Sequence, residues 1–201
     1  MASSTVRAVL RDIATDDTLP LRLENQALRE EIARLRILND ELERVVVRDT
    51  LTPLFNRRHF INCLTERLGR LQRYGTQTAL VFIDVDGLKG INDRHGHGAG
   101  DAALNHVARI IAQDVRSTDV AARIGGDEFA LLFDGMDDAA AHAKATRLVR
   151  LIASEPCDFH GFSLPITASF GCTVLQLGDN DFAAIARADT AMYAAKKQAR
   201  S

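Results

Sequence analysis

Two apolar runs, Val120-Ala121-Ala122 and Phe129 to Phe133, are separated only by Arg123-Ile124-Gly125-Gly126-Asp127-Glu128. So short a polar break between two strand-like runs leaves room for a hairpin and little else. Gly125-Gly126 predicts a tight turn in which both glycines take positive φ. Asp127 and Glu128 then stand side by side at the turn's exit. Adjacent carboxylates on a rigid tip suit a hard divalent cation, while the bland alternative is a solvated acidic turn. A second acidic stretch, Asp84-Val85-Asp86, closes an apolar run that begins near Thr78. Asp84 alone would be an ordinary strand end. Two acidic strand ends that meet at one point instead make a metal–nucleotide site.

A different periodicity governs residues 21–47. Leu21, Leu28, Leu35 and Leu42 recur as heptad d positions, with Asn25, Ile32, Asn39 and Val46 at a. Leucine at d with β-branched residues at a favours a parallel two-stranded coil, and asparagine at a fixes register because a buried amide is satisfied by its mate. Glu24 and Glu31 fall at g, opposite Arg29 and Arg36 at e of a parallel partner. The alternative is one amphipathic helix packed on its own domain. Ahead of it, Val6, Val9, Leu10 and Ile13 are spaced for a short helix, with a frayed tail as the equal alternative, and Pro20 can open the next helix. The division is therefore 1–20 tail or short helix, 21–47 dimerising helix and 48–201 globular domain.

Within the domain, Pro53 disfavours helix at Thr52, and Asn56 can cap a helix that buries Phe60, Leu64, Leu68 and Leu71 and ends near Gly75. Thr78–Val85 predicts a central strand, since its apolar run is continuous. Helices follow over 101–116 and 137–154, more strand over 162–177, and a last helix over 181–195 with Phe182, Ile185, Met192 and Tyr193 inward. Alternating strands and helices with a hairpin in the middle give an α/β fold that is not simply doubly wound.

Composition sets the bounds. The chain has 201 residues, 46% of them apolar, which is enough for one full core and an appendage. A formal charge of −2 and the absence of tryptophan argue against nucleic acid as a partner. No apolar run approaches the ~18 residues of a membrane span, and the N-terminus lacks a signal-peptide pattern. Cys63, Cys157 and Cys172 are scattered without metal spacing, as in a reduced cytoplasmic protein.

Gly125 to Phe129 reads GGDEF, and the chain resembles the diguanylate cyclase family that carries this signature. The resemblance runs from Asp49 to Arg200 and includes DTLTPLFNRR (49–58), DVDGLKGIND (84–93), GHGAGD (96–101) and AMYAAKKQAR (191–200). It implies a palm-like domain whose central mixed or antiparallel sheet is flanked by helices, here preceded by the parallel coiled coil. It also implies Mg²⁺ or Mn²⁺ held by Asp84, the Val85 carbonyl and Asp127, with Glu128 a further ligand or a proton acceptor.

The resemblance further places Gly87, Leu88 and Lys89 on phosphates, and the chemistry agrees, since a helix start offers N–H groups and lysine adds charge. Lys196 and Arg200 match the other triphosphate contacts, although basic residues also favour helix C-termini. Asn92 and Asp101 match the guanine-reading pair. A carboxylate accepts from guanine N1–H and the 2-amino group, while Asp101 would otherwise cap a helix. Leu88 stands where the family often has an aromatic residue and Pro53 where it often has glycine. Neither change removes a reacting group. Arg116 and Asp119 form an RxxD pair at the spacing of the family's inhibitory product site, with Arg147 as a secondary contact. Their ordinary alternative is a helix end followed by a turn.

Three functions compete. The first is a cyclase that joins two GTP into cyclic di-GMP across a homodimer, inhibited by its product. The second is a catalytically silent domain that senses GTP or cyclic di-GMP, and such domains usually lose the carboxylates kept here. The third is a coiled-coil adaptor, which leaves the polar set unexplained.

Overall fold

The computed structural model describes residues 19–45 and 47–199, and the chain divides into two units between residues 46 and 47. The short helix expected within residues 1–20, the side chains of Asn39, Leu42 and Val46, and Arg200 lie outside the described residues. In the first unit, α1 (Leu19–Val45) is one uninterrupted helix of 27 residues, about 40 Å long at ~1.5 Å per residue. Pro20 falls in its first turn, where a missing N–H costs nothing. Among the described residues of the heptad stripe, Leu21, Leu28, Ile32 and Leu35 stay 50–61% exposed.

The second unit is a five-stranded sheet with helices on both faces. Its strands are β1 (Phe55–Asn56), β2 (Thr78–Val85), β3 (Val120–Arg123), β4 (Glu128–Asp134) and β7 (Ala168–Val174), in the order β1-β3-β4-β2-β7. Only the β1–β3 pair is parallel. All eight residues of β2 are buried, as its continuous apolar run requires. Alternation along β2 divides the core. Ala79, Val81, Ile83 and Val85 face α4 (His97–Asp114) and α5 (Asp138–Ser154), meeting Val107, Ile111, Leu148 and Ile152. Leu80 and Phe82 face α2 (Arg57–Tyr74) and α6 (Asp181–Ala199), meeting Phe60, Leu64, Ala188 and Met192. The Asn56 side chain caps α2 by accepting from His59 N–H at 3.0 Å, and Gly75 ends it in the left-handed region at φ 67°. Asp137 caps α5 in the same way.

Several boundaries differ from expectation. The helix expected from Asp101 starts at His97, after a short α3 (Leu88–His95), so Asp101 lies in the second turn and caps nothing. Gly96, at φ 81°, makes the break between α3 and α4. Residues 162–177 are not one strand. A small hairpin, β5 (Cys157–Phe159) and β6 (Phe162–Leu164), turns on His160 and Gly161, both with positive φ, and precedes β7. On α6, Phe182 and Tyr193 point outward, 80% and 59% exposed, while Ala184, Ala188 and Met192 are buried.

Gly171 explains that reversal. A Cβ there would lie 2.2 Å from the Met192 nitrogen and 2.4 Å from the Ala188 carbonyl oxygen. The α6 backbone therefore rests directly on β7 at Ala188 and Met192, which puts Ala184, Ala188 and Met192 on the buried side. Arg187 locks this seat by donating to Asp179 Oδ2 at 2.6 Å, Thr173 Oγ1 at 2.7 Å and the Val174 carbonyl at 3.1 Å. Gly171→Ala should force the two elements apart and lower stability by about 1–3 kcal/mol, as overpacking does. Urea denaturation checks this, and an unchanged midpoint would mean that α6 is not so tightly seated.

Candidate active site

The register of β2 against β4 places Asp84 opposite Glu128. One residue on, Val85 N–H donates to the Asp127 carbonyl at 3.0 Å. The two acidic strand ends therefore do meet. The turn between β3 and β4 spans Ile124–Asp127, closed by Ile124 N–H donating to the Glu128 carbonyl at 2.9 Å. Neither Gly125 nor Gly126 takes a positive φ, contrary to the two-residue turn expected. Gly125 has another use: a Cβ there would lie 2.4 Å from Glu128 Oε2, so glycine lets that carboxylate fold back over the turn.

Arg123, to which sequence reasoning gave no role, organises this turn. Its Nε and Nη2 donate to the Gly126 carbonyl at 3.2 and 2.7 Å, and Nη1 pairs with Asp49 Oδ1 at 3.4 Å. Asp49 Oδ1 also accepts from Leu51 N–H, Thr52 N–H and the Thr52 hydroxyl, and these bonds and Arg123 hold its carboxyl below the usual range against the upward pull of burial. The segment entering the domain is thereby tied to the acidic turn. The available signal was Asp49 opening one motif and Arg123 opening the other.

Lys196, on the last turns of α6, brings Nζ to 2.6 Å from Asp84 Oδ1, with side-chain exposures of 21% and 9%. The contact is an ion pair, with no aligned hydrogen bond at that buried oxygen. Burial pushes the Asp84 carboxyl above its ordinary value; Lys196 opposes the rise, and Asp127 and Asp86 add to it. Glu128 is raised too, by burial and then by Asp84, Asp127 and Asp189. Both shifts have the same sign consequence: as pH rises from the ordinary carboxylate value through the raised one, the fold loses stability, because burial and then the neighbouring acids penalise the ionised forms. A cation removes that penalty. Asp86 is turned aside, with Oδ1 accepting from the Ser169 hydroxyl at 2.9 Å.

Among the described residues, no group of three or more His, Cys, Asp or Glu side chains is arranged to hold a metal. Two carboxylates and a backbone carbonyl nevertheless fit Mg²⁺, which uses few protein ligands and takes the rest from phosphate or water. The buried Asp84 oxygen that already draws a cation to 2.6 Å is the observation that carries this fit.

Past Val85 the chain turns at Gly87, at φ 70°, and enters α3 with no side-chain cap. The first N–H groups of α3, from Leu88 and Lys89, thus lie where β2 ends, and Lys89 is exposed. Asn92 is half-buried and Asp101 exposed on the adjoining α4. Gly100 makes room for Asn92, since a Cβ there would lie 2.1 Å from Asn92 Oδ1, a buried acceptor without a hydrogen-bond partner. The RxxD pair lies apart from this site, at the opposite end of β3 from the turn. Arg116 is exposed, but Asp119 is buried, its Oδ2 accepting from Arg116 N–H at 3.0 Å and Lys144 Nζ at 2.7 Å. Arg147 is exposed and pairs with Asp114.

The profile of the family described as "Diguanylate cyclase, GGDEF domain" matches residues 46–201. Diguanylate cyclase A of Treponema denticola is 31% identical over 85% of this chain and 47% of its own length. The bifunctional diguanylate cyclase/cyclic di-GMP phosphodiesterase MucR of Pseudomonas aeruginosa is 37% identical over 90% of this chain and 26% of its own length. The chain therefore spans less than half of these relatives. Among solved structures, the coiled coil and GGDEF domain of DgcB from Caulobacter crescentus, in complex with c-di-GMP, superposes with a TM-score of 0.74 at 29% identity, covering 90% of this chain and 95% of that one. Diguanylate cyclase SiaD from P. aeruginosa, in complex with its activator SiaC, gives 0.74 at 32% identity, covering 97% and 79%. The palm-like α/β fold is thus shared, and the chain belongs to the GGDEF-domain diguanylate cyclase family.

Proposed function

We propose that this chain is an active diguanylate cyclase, converting two GTP into cyclic di-GMP and two pyrophosphates. The observation that carries this reading is the β2–β4 register, which gathers Asp84, Asp127 and Glu128 with Lys196 at one strand end. In each step the 3′-oxygen of one GTP forms a bond to the α-phosphorus of the other. The α–β anhydride bond breaks, and pyrophosphate leaves with the electron pair. A second such step closes the ring. Mg²⁺ or Mn²⁺ on Asp84, the Val85 carbonyl and Asp127 would supply charge neutralisation at the α-phosphate. Glu128, whose proton affinity is raised by burial and its acidic neighbours, accepts the 3′-hydroxyl proton. The α3 N-terminus at Gly87–Lys89 and Lys196 bind the leaving phosphates, joined by Arg200. Asn92 and Asp101 read guanine.

Each domain supplies half of the reaction, so two copies have to meet. The exposed heptad stripe of α1 does this as a parallel coiled coil, raising the effective concentration of one half-site at the other. GTP as substrate and three free thiols, Cys63, Cys157 and Cys172, agree with a cytoplasmic location. Among the described residues, no helix is long and apolar enough to cross a membrane.

Incubation with GTP and Mg²⁺, followed by chromatography, should show cyclic di-GMP from the full chain even at high dilution. A version starting at Arg48 should need a higher protein concentration for the same turnover. Equal activity per molecule from a truncated monomer would rule out the coil's role. GTP binding without product would favour the silent sensor.

Product control is the second part of the proposal. Cyclic di-GMP, a dianion with two guanine faces, matches exposed Arg116 and Arg147, since arginine pairs bidentately with phosphate or with guanine O6 and N7. Asp119, its side chain 1% exposed, holds the loop that carries Arg116 through Arg116 N–H and Lys144. Bound product would cross-link domains and keep the half-sites apart. Arg116→Ala should straighten progress curves that flatten in the wild type, with little change in initial rate. Calorimetry showing equal cyclic di-GMP binding by both proteins would reduce the pair to a helix end and a turn.

A further inference from the structure

We propose that Lys196 is the built-in counter-ion of Asp84, and that it must move from this carboxylate to the triphosphate when a divalent metal binds. Lys196 then couples metal entry to nucleotide binding, beyond contributing one phosphate contact. The inference rests on the metal–triphosphate reading of the site given above.

Three observations carry it. First, Lys196 Nζ lies 2.6 Å from Asp84 Oδ1, a buried oxygen of the carboxylate proposed above to hold the metal. An ammonium and a dication cannot both sit on that oxygen, because like charges that close in a half-buried site repel strongly. Second, the strand register sets Asp84 opposite Glu128, and the acids there repel: Asp84 is crowded by Asp127 and Asp86, and Glu128 by Asp84, Asp127 and Asp189 of α6. Lys196 relieves that repulsion, so its removal by an incoming metal has a cost. Third, α6 is fixed on the sheet by the Gly171 contact and the Arg187 clamp, so the helix cannot retreat with its lysine. The exchange is left to the flexible four-carbon stem of Lys196, which swings without backbone movement.

A metal arriving alone must therefore displace Lys196 into solvent. A metal arriving with a triphosphate offers the ammonium a new anionic partner. Metal and nucleotide then strengthen each other's binding, and by linkage the effect is reciprocal. A lysine that contacted only phosphate would leave metal binding unaffected in the absence of nucleotide.

The test measures Mn²⁺ binding by the free-ion electron paramagnetic resonance signal. It uses the full chain as wild type, Lys196→Met, Lys196→Arg and Asp84→Asn, with thermal midpoints recorded alongside. Without nucleotide, Lys196→Met should bind Mn²⁺ about tenfold more tightly than wild type, because the competing ammonium is gone. Lys196→Arg keeps the competing charge and should stay near wild type, and Asp84→Asn should lose most binding. With a GTP analogue carrying a methylene bridge between the α- and β-phosphorus atoms, the order should reverse, Lys196→Met now binding Mn²⁺ more weakly than wild type. Equal or weaker Mn²⁺ binding by Lys196→Met without nucleotide would overturn the proposal, whether or not its thermal midpoint fell. Because this measurement needs no turnover, a chain that passed it yet made no cyclic di-GMP would sink the catalytic reading and leave the exchange standing.

Discussion

The register between β2 and β4 is the constraint on which the rest depends. Because side chains alternate along a strand, one slip would carry Leu80 and Phe82 to the wrong face of the sheet and part Asp84 from Glu128. The core opposes any such slip, since β2 is buried along its whole length between two layers of helices. The apolar interior thus fixes the position of the acidic strand ends to within one residue. Packing energy holds together carboxylates that would otherwise separate.

That arrangement carries an electrostatic cost, and cations offset it. Asp84 and Glu128 sit above the ordinary carboxylate range because they are buried beside other acids. Lys196 reaches them from α6, whose closeness depends on a glycine in β7 and small residues on the helix. From the other side, Arg123 grips the turn carbonyl and Asp49 together. A site made of strained acids on a rigid frame is suited to polyvalent phosphate with metal, where charge neutralisation is most of the chemistry.

Much of this was legible in the sequence, because the signals were local. The continuous apolar run of β2, Asn56 and Gly75 at the ends of α2, and the start of α5 at Asp137–Asp138 each depend on a few neighbouring residues. The misses depend on partners distant in sequence. The helix expected from Asp101 begins at His97, and Gly100 within it allows the close approach of Asn92. Helical spacing marked Phe182 and Tyr193 as inward, but the contact with Gly171 seats the helix on its Ala184, Ala188 and Met192 face. Gly125 looked like a positive-φ turn residue and instead makes room for the Glu128 carboxylate. The commitment of Asp119 to Lys144 joins residues 25 positions apart and left no local trace.

The central claim is that the acidic turn serves metal–nucleotide chemistry rather than folding. Cyclic di-GMP formation from GTP and Mg²⁺ by wild type and Asp127→Ala, with thermal midpoints of both, addresses it most directly. Asp127 is half-buried in a turn outside the apolar core, so its removal should leave the midpoint within a few degrees. Turnover should fall by about a thousandfold or more, as expected when several kcal/mol of charge stabilisation are lost. Near-normal turnover by the folded variant would contradict the account.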